Sequence, residues 1–172
     1  MANPQATPVF VAGAGVTPTT GLRIGASFAR GAYLTATEFA PSLPQVDRTL
    51  TLVGLEAEYA VGYTKISGEV VHSAFAAAAG TFGATTWFAQ ATQTLTPRWA
   101  VSGRHEGTSA PAVGACATFC TQPHLLANEL TATYRVTHDV LVKASTYVRQ
   151  PYGRTDWDTQ GAVQIVFQKR WW

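Results

Sequence analysis

Charge is what this sequence has least of. Twelve Lys and Arg and ten Asp and Glu make up 13% of its 172 residues, about half the ~25% of an ordinary soluble domain. The net charge of +2 is small, and the basic residues are scattered rather than clustered. A nucleic-acid partner is therefore not expected, and there is no polybasic patch to hold a membrane surface. Long hydrophobic runs are missing too. No stretch approaches the ~18 apolar residues of a membrane-spanning helix, and the longest weakly polar one, AFAAAAGTFGA, is short and broken by glycine. The opening MANPQATPVF has no basic start followed by an apolar segment, so no signal peptide is expected in the chain as it stands. At 172 residues one domain is expected, over 1–172.

Catalytic and metal-binding patterns are equally thin. There is no G-x-S-x-G nucleophile turn. In SGRHE, Ser102 and His105 stand three apart, which on a strand puts them on opposite faces. GAGVTPTTG follows no strand and opens no helix, so it is not a phosphate loop. Two cysteines, Cys116 and Cys120, form CATFCTQPH with His124. The spacing suits a small disulfide in an external loop of an oxidising compartment. A zinc clip lacks an evident fourth ligand, and free thiols are the other alternative. No enzyme activity, cofactor or metal is expected.

What the sequence does have is period two. Eight strands are predicted, at 21–34, 49–63, 65–76, 83–95, 98–107, 125–136, 139–150 and 159–171. Residues 1–20 read as an N-terminal loop or the remnant of an upstream strand. Segments of ten or more residues exceed the usual five or six of soluble sheets and match tilted strands that cross a bilayer. GYTK, LTPRW and VTHD are tight connections; TATEFAPSLPQVDR, AAAGTFG, EGTSAPAVGACATFCTQPH and PYGRTDWD are longer ones on the opposite side. That alternation belongs to outer-membrane barrels.

The faces separate charge from grease. Arg23, Glu56, Glu58, Lys65, Glu69, Arg104, Glu106, Glu129, Arg135, Lys143 and Arg149 are predicted to share the polar side and to line a lumen. Opposite them lie Val53, Leu55, Val61, Leu130, Val163 and Ile165. Arg30, His72 and Lys169 break the pattern by falling on the apolar parity. Alternation alone also fits a soluble barrel or sandwich. Two features favour lipid. Tyr63, Trp99, Tyr134 and Trp171 sit on the apolar face near short turns or the C-terminus, as an interfacial girdle would; Trp87, Tyr152 and Trp157 make a weaker second ring. Many apolar-face residues are alanines (Ala26, Ala57, Ala89, Ala91, Ala132, Ala144), too small to fill a close-packed core.

Five stretches carry a resemblance: GLRIGASFARGAYL, LVGLEAEYAVGYTKISGEVVHSAF, TTWFAQATQTLTPRWAVSGRHE, ELTATYRVTHDVLVKASTYVR and AVQIVFQKRWW. In order and spacing, from about residue 21 to the end, they resemble the C-terminal half of Gram-negative porins of the phosphate-selective porin-like kind. The resemblance implies an antiparallel up-and-down transmembrane β-barrel, either a small barrel of eight strands or half of a sixteen-stranded one. It implies passive diffusion of small hydrophilic solutes or ions, residence in a Gram-negative outer membrane, and contact with its lipid and barrel-assembly machinery. A homo-oligomer stays open. The sequence departs from the family where Lys169 interrupts Phe167 and Trp171 and where Trp172 follows. With Arg170, seven basic residues face five acidic ones, a slight anion bias that does not argue phosphate selectivity. The alternatives are a structural membrane barrel with a plugged lumen, and a soluble barrel holding an apolar ligand.

Overall fold

The computed structural model describes residues 8–34, 48–77, 80–110, 124–150 and 156–167. They form a single antiparallel sheet of nine strands: β1 (Phe10–Thr19), β2 (Leu22–Leu34), β3 (Arg48–Val61), β4 (Thr64–Ala77), β5 (Gly80–Thr94), β6 (Trp99–Ser109), β7 (His124–Arg135), β8 (Val140–Gln150) and β9 (Asp158–Phe167). Each strand pairs with the next in sequence, in the order β1 to β9. This is the all-β, antiparallel up-and-down architecture expected.

The strand count differs from the eight predicted. Residues Phe10–Thr19 are a strand paired with β2, in unbroken register from Phe10 opposite Arg30 to Val16 opposite Ile24 and shifted before Thr19 opposite Leu22. The segment FVAGAGVTPT is mostly small residues, so its alternation is faint, yet glycine and alanine on a ladder still pair their backbones. A second difference concerns AAAGTFG. β4 and β5 run on to an Ala77–Gly80 pair, so only two residues join them and the connection is not a long one.

One end of the sheet is stitched tightly. β1–β2 and β3–β4 are joined by two-residue turns, with Gly21 at φ +85° and Gly62 at φ +57°, a left-handed backbone that glycine adopts without strain. Backbone bonds tie these turns to neighbouring strands: Ala60 N–H donates to Gly21 O (2.8 Å), Thr94 N–H to Tyr63 O (2.9 Å) and Arg135 N–H to Arg98 O (2.8 Å). At the other end, β2–β3, β6–β7 and β8–β9 are joined by the longer segments.

Among the described residues no second layer covers this sheet. Among the described residues, Ala127 is the only buried hydrophobic one. Leu130 (63%) and Val163 (76%), like Val53, Val61, Ile66 and Ile165, leave their side chains open on one face. A soluble sandwich or an apolar-lined barrel would enclose that face; here it is the outer one. The aromatic positions follow. Trp99 and Tyr134 face each other across β6 and β7 with ring centres 4.6 Å apart, beside exposed Tyr63 at the same end. Trp171, the fourth predicted girdle residue, and Lys169 lie outside the described residues. Near the other end Phe10 packs against Phe28 at 6.0 Å. The Trp87 indole lies over Gly107, where a Cβ would come to 3.0 Å from the ring.

The polar exceptions on the outer face are partly paired. His72 Nδ1 lies 3.0 Å from Thr85 Oγ1. His105 Nδ1 lies 2.9 Å from Asn128 Oδ1. Each pair spans two adjacent strands, which lowers the cost of placing polar groups on a greasy surface. Arg30 stands between Phe10 and Thr51.

Candidate functional site: the polar wall

All eleven predicted wall residues fall on one face, because in an antiparallel ladder directly opposite residues share a side. Arg23 stands opposite Glu58, Glu56 opposite Glu69, Arg104 opposite Glu129, and Lys143 opposite Thr133 and Gln164. The structure draws them into two groups.

The first is on β2–β4. Arg23 Nη2 meets Glu56 Oε1 at 2.9 Å, and Lys65 Nζ meets Glu58 Oε2 at 2.6 Å. Glycine makes the first pair possible: a Cβ on Gly25 would sit 2.6 Å from Glu56 Oε1. Glu69 faces Glu56 across the ladder, so this group holds three carboxylates against two cations. Gly13 and Gly15 of β1 border the same hollow, about 310 Å³ in volume.

The second group is on β6–β9. Arg104 Nε meets Glu106 Oε2 at 2.6 Å, and its guanidinium lies 4.1 Å from the Phe88 ring centre, a stacking that holds a planar cation flat against the wall. The Tyr147 hydroxyl donates to the other oxygen, Glu106 Oε1, at 2.8 Å. That contact skips a strand: Tyr147 is on β8 and Glu106 on β6. Between them, on β7, is Ala127, fully buried at 0% exposure. The Thr131 hydroxyl donates to Glu129 Oε1 at 2.9 Å. Lys143, Arg104 and Glu129 line a second hollow, of about 370 Å³, with Ser102, Gln90 and Gln164. Arg149, opposite Ala127 and Asp158, keeps a buried Nε with no hydrogen-bond partner. Arg135 is exposed near the tight-turn end. Here four cations face Glu106, Glu129 and Asp158. The wall thus leans acidic on one side and basic on the other.

Reach across a strand, and half-burial of Arg104, Glu106, Glu129, Lys143 and Arg149 on a single-layer sheet, mark the β6–β8 part of the polar face as sheltered, whereas Arg23, Glu56 and Lys65 on β2–β4 are exposed. Enlarging Ala127 tests this reading. Ala127→Leu adds three carbons where Ala127 is already fully enclosed, and overpacking of this kind costs ~1–3 kcal/mol. The expected result is a lower unfolding midpoint in a denaturant titration, while Ala132→Leu on the outer face leaves it within error. Equal effects would mean that Ala127 is not enclosed.

Three wall residues went unpredicted: Asp158, Tyr147 and Phe88. Each shares the parity of its charged neighbours, and extending the parity to them would have found them. The same holds for Tyr33, Phe75 and Phe82, an aromatic row on the polar face toward the long-connection end. Phe75 stacks on Phe82 at 4.9 Å, Tyr33 meets Phe75 edge-on at 5.6 Å, and the Tyr33 hydroxyl donates to Ala76 O at 2.8 Å. Ser102 and His105 stand on opposite faces, as their spacing requires. Cys116 and Cys120 lie outside the described residues.

No family model matches this sequence, and no curated protein matches it. A solved structure does match the fold: OmpT (in-vitro folded), an outer membrane protein of Vibrio cholerae, with a TM-score of 0.65 at 12% sequence identity. The match covers 84% of this chain and 45% of that one, so the chain spans under half the length of its structural neighbour. The likeness establishes the fold, that of an outer-membrane β-barrel protein; a phosphate-selective porin family is not established by it.

Proposed function

We propose that this sheet is the wall of a water-filled passage in a Gram-negative outer membrane, through which small hydrophilic solutes and ions diffuse without chemistry. The observation that carries the reading is the division of the faces. Every predicted wall charge lies on one face, and Val53, Leu55 and Val61 of β3 with Val163 and Ile165 of β9 lie on the other. Ionised groups on a lumen wall keep water in it and set a local field. Apolar side chains on the outside meet lipid, and the Tyr63, Trp99 and Tyr134 cluster marks one edge of the apolar band. The partners are membrane lipid, the barrel-assembly machinery and the permeating solutes. No catalytic residue and no cofactor is proposed.

Conductance tests this. The protein is reconstituted into planar bilayers and the reversal potential is measured across a salt gradient. Arg104→Glu with Arg149→Glu takes two cations from the basic side of the wall and adds two anions. The expected result is a several-fold shift of the permeability ratio toward cations. An unchanged reversal potential would remove these residues from the ion path, and zero conductance from an inserted sample would favour a plugged structural barrel.

A further inference from the structure

Arg104 does not take the partner that the ladder offers it. Glu129 is directly opposite on β7, the position from which a carboxylate most easily meets a cation on the next strand. Yet Arg104 Nε donates to Glu106 Oε2 at 2.6 Å, two residues along its own strand, and Glu129 accepts from the Thr131 hydroxyl instead. Two uncharged aromatic residues account for the choice. Phe88 of β5 stands directly opposite Glu106, and the Arg104 guanidinium carbon lies 4.1 Å from the centre of its ring. Stacking draws the planar cation toward β5 and away from Glu129. From the other side the Tyr147 hydroxyl crosses β7 over the enclosed Ala127 and donates to Glu106 Oε1 at 2.8 Å. Each oxygen of the Glu106 carboxylate then has its own donor, and the group cannot turn without losing one of them.

This arrangement decides which charges the passage meets. Arg104 and Glu106 are half-buried and joined at short range, so their fields largely cancel. Arg104 also borders the hollow of about 370 Å³ that Lys143 and Glu129 line, so a turn of its side chain changes the charge there. Freed from Phe88, its guanidinium has Glu129 as its ladder neighbour. Neutralising Glu129 leaves the hollow more basic. Freed from Tyr147, Glu106 turns to water or to Arg149, which stands in the same row beyond Ala127. Either change leaves the basic side less positive.

We infer that Phe88 and Tyr147 are specificity-determining residues of this wall: uncharged side chains that set its ion preference by fixing where Arg104 and Glu106 carry their charges. This rests on the water-filled passage proposed above.

The test alters no formal charge. Tyr147→Phe, Phe88→Leu and Phe88→Trp are each made in the full 172-residue chain and reconstituted into planar bilayers, and reversal potentials are read across a potassium chloride gradient. Tyr147→Phe is expected to move the permeability ratio toward cations, and Phe88→Leu toward anions, each by about twofold or more. Phe88→Trp keeps a ring against the guanidinium and is expected to stay with the parent. The tyrosine acts through the carboxylate, so adding Tyr147→Phe to Glu106→Gln is expected to bring no further shift. Tyr147→Phe and Phe88→Leu each decide the matter alone if the other does not insert. Open channels whose reversal potential stays put in both overturn the inference and leave the passage standing. Shifts of the same sign in both overturn it too, because a change of bore rather than of charge position would produce them. Zero conductance from inserted protein overturns the passage and the inference together.

Discussion

Leu55→Arg is expected to lower the stability of the membrane-inserted protein by ~2–4 kcal/mol, the cost of a cation on the lipid face of a barrel at mid-depth. Leu55 is midway along β3, its side chain 56% exposed on the apolar face between Ala26 and Val70. An arginine there must keep its guanidinium in hydrocarbon or pull water and headgroups toward it. Ser102→Arg makes the same change on the opposite face. Ser102 stands on the polar wall between Thr92 and Thr131, where a cation meets water and the Glu129 carboxylate nearby. Its expected effect is within ~0.5 kcal/mol, as for a substitution at a solvated site. Denaturant titration of both variants in lipid vesicles gives the comparison. A large loss for Leu55→Arg with little for Ser102→Arg assigns the faces as described; the reverse order would turn the sheet inside out.

The faces were legible from sequence because period two needs no tertiary knowledge: once Glu56 and Glu58 share a side, Leu55 must take the other. Strand ends within the described residues were legible to within about three residues for the same reason, since the alternation fails where turns begin; the predicted end of the last strand, 171, lies outside the described residues. What failed was whatever alternation does not encode. β1 reads as loop or remnant because Gly13, Ala14 and Gly15 give no contrast between faces, although their backbones pair as well as any. Its recognition changes the strand number from eight to nine. The contact from Tyr147 to Glu106 was invisible as well. It joins β8 to β6 over the side chain of Ala127, and only curvature toward the polar face, a property of the folded sheet, brings those strands within reach. Asp158 and the Tyr33–Phe75–Phe82 row were missed for a weaker reason: aromatics and strand-end residues were not assigned to the wall although their parity placed them there.

Gly21→Val should be among the most damaging single substitutions in the tight turns, and Gly62→Ala among the milder ones, although both glycines have positive φ. At Gly21 (φ +85°) an added Cβ would collide with the carbonyl oxygen of Ala60, a residue already tied to this turn because its N–H donates to Gly21 O at 2.8 Å. The left-handed backbone costs a side chain ~1–2 kcal/mol. Displacing the turn also gives up a hydrogen bond with a net value of ~0.5–1.5 kcal/mol. Together these give a loss of about 1.5–3.5 kcal/mol for Gly21→Val. At Gly62 (φ +57°) nothing lies within 4 Å of the added Cβ, so only the backbone term of ~1–2 kcal/mol acts, and asparagine, which tolerates this conformation, should recover part of it. Unfolding midpoints of Gly21→Val, Gly62→Ala and Gly62→Asn in the same lipid decide the matter. A Gly21→Val loss no greater than that of Gly62→Ala would mean that the β1–β2 turn does not bear on β3. In that case β1 would be held to the sheet by its ladder with β2 alone.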